Sequence, residues 1–397
     1  MRDVSVFSCG GRHLPIDIGT TSITGIGRGV LDLRDDDLQA SESFAMIAPP
    51  AALLAGLGSD FQRAGALFPR RGEGDNDFTD RYGVGWLVTH GSPAPWEHPL
   101  EKLDWEAVAR HPKPPPPTQW QTPDGTAPPY VILDAPCPGL IDTCFALRNA
   151  WQFMEDLTDN WRVAGALLDW AVDVIMAHYD AALAAQPRTP DVILYADDLG
   201  FQDAMYLSNV DFRNFVYPRL KTLISRIRSL SNAQLCLHSC GAIAPVLGEI
   251  AQLDFEMMNL DFMAKGMIVA DVRKAIAADT VLHAPFDLAA LGRAVREGDR
   301  RGIVLLTADL VAALPAIAAP ADMMLTRADL ADALRGAAFV RALDSDDIDR
   351  LRRFGPVAPI LRRATDAALT ANPEARLSRI DGQTEPIRAE TAETRRG

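Results

Sequence analysis

A chain of 397 residues with 48% hydrophobic and 23% charged side chains can bury a large core, in one large domain or two modest ones. Its 39 Lys and Arg against 53 Asp and Glu leave a net charge of -14, which argues against nucleic acid or an anionic membrane as the main partner. An anionic small substrate is not excluded by that balance, because a local pocket can oppose the global charge.

The opening residues 1–11 lack an apolar signal core, and no stretch reaches the roughly 20 apolar residues of a membrane helix. Cys9, Cys137, Cys144, Cys236 and Cys240 are odd in number and lack the spacing of a disulfide framework. A reducing, cytoplasmic setting is expected.

Residues 1–130 are rich in Gly, Pro and Trp and hold few long periodic segments, and a proline run at 114–117 stiffens the chain before the first strong strand. The composition predicts an N-terminal elaboration of short helices and loops folded over the rest. From about residue 130 strand and helix patterns alternate. Short apolar runs at 131–134, 192–196, 235–238, 255–260, 280–283 and 302–306 read as buried parallel strands. Helical stretches are expected at 150–184, 211–230, 242–252, 268–278 and 287–300. The second is capped by Asn209 or Asp211 and carries Lys221, Arg226 and Arg228 in its later turns. Repeated βα units build either a barrel or an open doubly wound sheet. Length and the absence of a glycine-rich dinucleotide turn favour an α/β fold of the (β/α)8 TIM-barrel type over residues 131–369, with 1–130 across its mouth. The polar tail at 370–397 is expected to be disordered.

Reactive side chains stand at the ends of successive strands: Asp134, then Asp197 and Asp198, His238 and Cys240, Asn259 and Asp261, His283, and Thr307 with Asp309. Six strands ending this way suggest a polar mouth over an apolar core, where parallel barrels keep their active sites. Residues two apart on a strand share a face, so His238 and Cys240 can both point inward, and Gly241 lets the chain turn at once. An imidazole and a thiolate so placed make half of a tetrahedral zinc site. The same pair also reads as a small buried thiol beside a hydrogen-bonded imidazole. Asp197 and Asp198, being neighbours, face opposite ways. One carboxylate meets the pocket, as acid, base or ligand, and the other turns away as a cap or ion-pair partner. Arg12 and His13 either reach the mouth or lie on the surface.

These residues carry a resemblance. Leu194–Gln202 (LYADDLGFQ), Phe212–Lys221 (FRNFVYPRLK) and Leu237–Gly241 (LHSCG) resemble the uroporphyrinogen decarboxylase superfamily, closest to its cobalamin-dependent methyltransferase branch. Arg12–Thr21, Asp80–Trp86, His98–Leu100, Met258–Asp261 and Ala264–Met267 extend the likeness over roughly residues 10–310. The resemblance implies a TIM barrel that transfers a methyl group to or from a corrinoid (cobalamin) carried by a partner protein. It implies zinc held by His-x-Cys and a distant Cys, which activates a thiol acceptor. His238 and Cys240 match the first two ligands. No cysteine follows Cys240, and Ala308 stands at the expected third position, leaving Asp309, His283, Cys137 or Cys144 to complete the set. On the same basis Asp197, Asp198 and His238 are expected to be catalytic, and Gln202, Asn259 and His283 to bind substrate. The decarboxylases of that superfamily carry an Arg-rich segment for tetrapyrrole carboxylates. Residues 15–21 (PIDIGTT) lack it, so a carboxy-lyase of tetrapyrrole metabolism is the second expectation. A catalytically silent barrel binding a corrinoid or a partner is the third.

Overall fold

The computed structural model describes residues 16–17, 21–22, 38–42, 46–47, 51, 61–69, 77–89, 92–283 (save 124, 126–127, 262–263 and 278–279) and 302–305. Strands of the N-terminal part are β1 (Ile16–Asp17), β2 (Thr21–Ser22), β3 (Leu38–Gln39), β4 (Met46–Ile47), β5 (Phe61–Pro69), β6 (Asp77–Thr79), β7 (Gly85–Thr89) and β8 (Ser92–Glu97). A short helix α1 (Trp105–Ala109) and strand β9 (Gln119–Gln121) follow. Then come β10 (Tyr130–Leu133), helices α2 (Leu140–Arg148), α3 (Ala150–Asp159) and α4 (Trp161–Ala184), β11 (Val192–Ala196), α5 (Tyr217–Leu230), β12 (Gln234–Ser239), β13 (Met257–Leu260), α6 (Val269–Ala275), β14 (Val281–His283) and β15 (Gly302–Leu305).

Eight strands pair side by side and parallel in the order β5-β10-β11-β12-β13-β14-β15-β1, and β3 and β9 add to β5 in the antiparallel sense. The result is an α/β fold on a mixed sheet. β1 and β5, the two ends of the parallel series, approach one another. No backbone ladder between them occurs among the described residues, so the closed barrel expected from the sequence is an open ladder in this structure. The expected boundary at residue 130 also moves. β1 and β5 lie before it and are full members of the parallel sheet, and the expected short helices are largely strands, including the antiparallel meander β6-β7-β8.

Strand alternation sorts the core into two layers. Val131, Leu133, Ile193, Tyr195, Leu235, Leu237, Met258 and Leu282 pack under the helices in one apolar cluster. Their neighbours Ile132, Val192, Cys236, Met257 and Val281 join Phe61 of β5 in a second cluster on the opposite face. Near-continuous apolar runs are what strands covered on both faces require. α4 closes the outer layer with Leu167, Leu168, Ala171, Val174, Ile175 and Ala182, each shielded from water and each contributing on the order of 1–3 kcal/mol, the alanines least. Arg219 and Arg226 of α5 reach back to Asp169 and Asp180 of α4 at 2.7 and 2.9 Å.

Three helix expectations shift in detail. The stretch 150–184 breaks at Asn160, whose φ of -137° and ψ of 47° leave the helical region. The stretch at 211 is capped by Ser208, whose hydroxyl accepts from the Asp211 N–H at 3.1 Å, rather than by Asn209 or Asp211. A π-turn at Phe212–Val216 then leads into Pro218 in the first turn of α5, where the missing N–H is tolerated. Residues 244–253 form short turns of 3-10 and α type around Pro245 instead of one helix. The helix expected at 287–300, the tail at 370–397, and Arg12, His13, Thr307 and Asp309 lie outside the described residues. No helix among the described residues is long and apolar enough to cross a membrane.

Candidate functional site

Two residues further along five of the six strands of the inner apolar cluster, the same face turns polar: Phe61 gives way to Arg63, Ile132 to Asp134, Cys236 to His238, Met257 to Asn259 and Val281 to His283. These side chains join into one hydrogen-bonded series. Asp134 Oδ1 accepts from Arg63 at 2.7 Å, and Arg63 also pairs with Asp17, which is fully buried. Asp17 Oδ2 in turn meets His283 Nε2 at 2.8 Å, His283 Nδ1 meets Asn259 Nδ2 at 2.8 Å, and Asn259 Oδ1 meets His238 Nδ1 at 2.8 Å.

Asp17 sets the polarity of this series. Burial works to raise its pKa, but Arg63 and His283 hold the carboxyl below its ordinary value, so it is an acceptor only. His283 therefore donates through Nε2, and its Nδ1 meets the Asn259 amide nitrogen. Asn259 Oδ1 then accepts the proton on His238 Nδ1. The Nε2 lone pair of His238 faces outward, 3.7 Å from Cys240 Sγ and 3.7 Å from Asp198 Oδ1.

Asp198, His238 and Cys240 each offer one donor atom, all within 4.8 Å of one another. With zinc bonds of 2.0–2.3 Å the edge of a tetrahedron is about 3.5 Å, close to the 3.7 Å separations of this cluster. Nitrogen, sulfur and oxygen donors with a pinned imidazole tautomer are a fitting set for zinc, and three protein ligands leave a fourth position open. The Cys240 N–H donates to Asp198 Oδ1 at 2.7 Å, tying the two strand ends together. Burial and the Asp198 carboxylate push the Cys240 thiol well above its usual range. Gly241 (φ 90°) makes the turn possible, since a Cβ there would fall 2.0 Å from the Gly200 carbonyl oxygen.

The neighbouring carboxylate has the opposite task. Asp197 points behind the strand, where Oδ1 accepts the N–H groups of Ile141 and Asp142 at 2.9 and 3.1 Å and Oδ2 accepts the Tyr195 hydroxyl at 3.0 Å. It caps the start of α2 from across the fold. Gly139 permits the approach: a Cβ there would sit 2.3 Å from Asp197 Cβ. Burial pushes Asp197 up, against the pull of these donors. Asp142, on the first turn of α2, accepts the Asp198 N–H at 3.3 Å and is raised far above the usual carboxylate range by burial and by Asp197 and Asp198.

Asp142 and Asp198 also line a cavity of about 390 Å³ between the sheet end and the N-terminal strands. Phe68, Tyr82, Trp86 and Phe145 contribute aromatic walls. Arg81 is the one cation among its described lining residues, and it is paired with Glu42 at 2.8 Å.

Of the residues singled out in the sequence, the structure brings His238, Cys240 and Asp198 together and sends Asp197 away from the cavity. Asn259 and His283, expected to touch substrate, sit behind His238 in the hydrogen-bonded series. His283 is accordingly not a third donor, because both ring nitrogens are engaged by Asn259 and Asp17. Cys144 is sealed in the core and Cys137 is buried against the cavity wall, while Asp309 lies outside the described residues. Gln202 spans to Asp261 at 2.6 Å and holds the Lys265 N–H through its carbonyl, securing the loop after β13. Asp142, Asp17 and Arg63 do not stand out in the sequence as site residues. The strand pattern at 61–66 (FQRAGA) was the available signal for Arg63, a charge on the same strand face as Phe61.

Residues 143–282 match the model of the uroporphyrinogen decarboxylase (URO-D) family, which carries the likeness seen in the motifs over the central segment of the chain. Among solved structures the chain is similar to a methyltransferase from Methanosarcina mazei, at 17% identity and a TM-score of 0.48, over 74% of this chain and 87% of that one. No curated protein matches the chain.

Proposed function

We propose that this chain is an enzyme of the uroporphyrinogen decarboxylase superfamily that moves a methyl group to or from a corrinoid borne by a partner protein, with zinc held by Asp198, His238 and Cys240. The fold read this way is a (β/α)8 barrel whose seam runs between β1 and β5, bridged by the Arg63–Asp17 pair. The observation that carries the reading is the meeting of three donor atoms within 4.8 Å at the carboxyl ends of adjacent strands, beside a cavity of about 390 Å³.

Zinc bound there supplies Lewis acidity that keeps a thiol ionised near neutral pH. The chain's own residues do the rest. Asn259 holds His238 in one tautomer and one orientation, Asp198 fixes the Cys240 backbone, and the aromatic walls give the cavity an apolar side. A net charge of -14 suits a protein or small-molecule partner in the cytoplasm better than nucleic acid or an anionic membrane. A carboxy-lyase acting on a many-carboxylate ring asks for free cationic walls, and the paired Arg81 does not offer them.

The test is metal analysis of the wild type and Cys240→Ser, run beside an assay of methyl exchange with a methyl-corrinoid protein. Close to one zinc per chain, lost in Cys240→Ser together with methyl exchange, is expected. A metal-free wild type, or methyl exchange that survives His238→Ala, overturns the reading.

A further inference from the structure

We propose that His283, held by Asp17, is a positioning residue for the donor cluster: through Asn259 it selects which ring nitrogen of His238 carries the proton. The consequence for metal binding rests on the zinc reading above, whereas the tautomer itself rests on the hydrogen-bond geometry alone.

Strand register brings these side chains together. His238 and Asn259 are lateral partners on β12 and β13, and His283 follows on β14. Asp17 arrives from β1, two strands further along the sheet. Asp17, His283 and Asn259 are each at most 6% exposed, and polar groups so buried depend on their protein partners.

Asn259 is the element with two positions. Its amide nitrogen only donates and its amide oxygen only accepts, and a half-turn of the amide exchanges them with almost no change in shape. In the orientation seen, Nδ2 lies 2.8 Å from His283 Nδ1 and Oδ1 lies 2.8 Å from His238 Nδ1. This orientation asks for a lone pair on the His283 side and a proton on the His238 side. Asp17 meets the first demand. Its carboxylate faces His283 Nε2 at 2.8 Å and draws the ring proton there, away from Nδ1. His238 then keeps its proton on Nδ1, and the Nε2 lone pair faces Cys240 Sγ and Asp198 Oδ1, each 3.7 Å away.

With a proton on His283 Nδ1 the amide turns over. Asn259 Nδ2 then donates to His238 Nδ1, the His238 proton moves to Nε2, and the atom aimed at the other two donors has no lone pair for a metal. A residue that merely filled space behind His238 would make no such distinction.

Nitrogen NMR of the metal-free full chain, with isotope-labelled histidine and at mildly basic pH, tests the inference. Two-bond couplings tell a protonated ring nitrogen from a bare one, and His238→Gln and His283→Phe assign the two rings by the signals they remove. The expected wild type has His238 protonated at Nδ1 and His283 at Nε2. His283→Phe keeps the bulk of the ring without its nitrogens. In it the His238 signals should move towards the Nε2-protonated form, and zinc affinity from chelator competition should fall about 10–100-fold. Adding Asn259→Asp, whose carboxylate accepts from His238 Nδ1 unaided, should restore both. The opposite tautomer on either wild-type ring overturns the inference without recourse to any variant. A His238 ring unmoved in His283→Phe, or no recovery on adding Asn259→Asp, does the same. Zinc measured in the same samples separates the two ideas. Zinc bound by a chain whose His238 tautomer ignores His283 removes this inference and keeps the methyl-transfer reading, whereas the expected tautomers in a chain that binds no zinc do the reverse.

Discussion

The polar series inside the sheet and the donor cluster at its mouth are built from the same strands, yet they are wired differently. In the series, Asp134, Arg63, Asp17, His283, Asn259 and His238 touch at 2.7–2.8 Å where distances are ordinary, and every link joins a donor to an acceptor. One layer out, His238 Nε2 faces Cys240 Sγ and Asp198 Oδ1 at 3.7 Å, beyond a good hydrogen bond, with acceptor character predominating. Buried polar groups that hold a fold satisfy one another. The donor cluster is looser: His238 stands 3.7 Å from both Cys240 Sγ and Asp198 Oδ1, and the Cys240 N–H on Asp198 Oδ1 at 2.7 Å ties it together. The difference separates scaffold from site more sharply than residue type, since both regions contain His and Asp.

Substitutions can break this contrast, and the largest effect belongs to the scaffold. Arg63→Met leaves the fully buried Asp17 without its main counter-charge and should cost about 3–5 kcal/mol in denaturant unfolding. An unchanged unfolding midpoint would mean that the series carries no structural role. Asn259→Leu is next. It frees the His238 ring and tautomer, so zinc affinity measured by competition with a chelator should fall about 10–100-fold while the fold persists. Equal affinity would show that the series does not reach the cluster.

The smallest effects sharpen the contrast within a single dipeptide. Asp197→Asn replaces the acceptor of two helix N–H groups and the Tyr195 hydroxyl, and should lower stability by about 1–2 kcal/mol with zinc content intact. Asp198→Asn should change the melting of metal-free protein little and remove zinc instead. Paired melting curves and metal analyses check both, and a swap of the two outcomes would reverse the roles of the two carboxylates.

Much of this arrangement is legible in the sequence. Period-two and period-3.6 patterns are local, so the runs at 131–134, 192–196 and 235–238 and the helices near 161–184 and 217–230 could be read directly. The inward sharing of His238 and Cys240, and the opposite facing of Asp197 and Asp198, followed from strand geometry alone. α2 escaped that reading because its start is capped by Asp197, 56 residues away from Ile141, and not by a neighbouring side chain.

The chain by itself therefore determined most of the strands and the long helices after residue 130, and which reactive side chains end those strands, because those follow from contacts a few residues apart. Only the tertiary structure decided the rest. Strand order brings Asp17 and Arg63 from the N-terminal part beside Asp134 and His283, makes Asp198 the third donor, and turns His283 and Asn259 into supports of His238. Those choices depend on lateral register between strands far apart in sequence, and register is set by packing across the whole sheet.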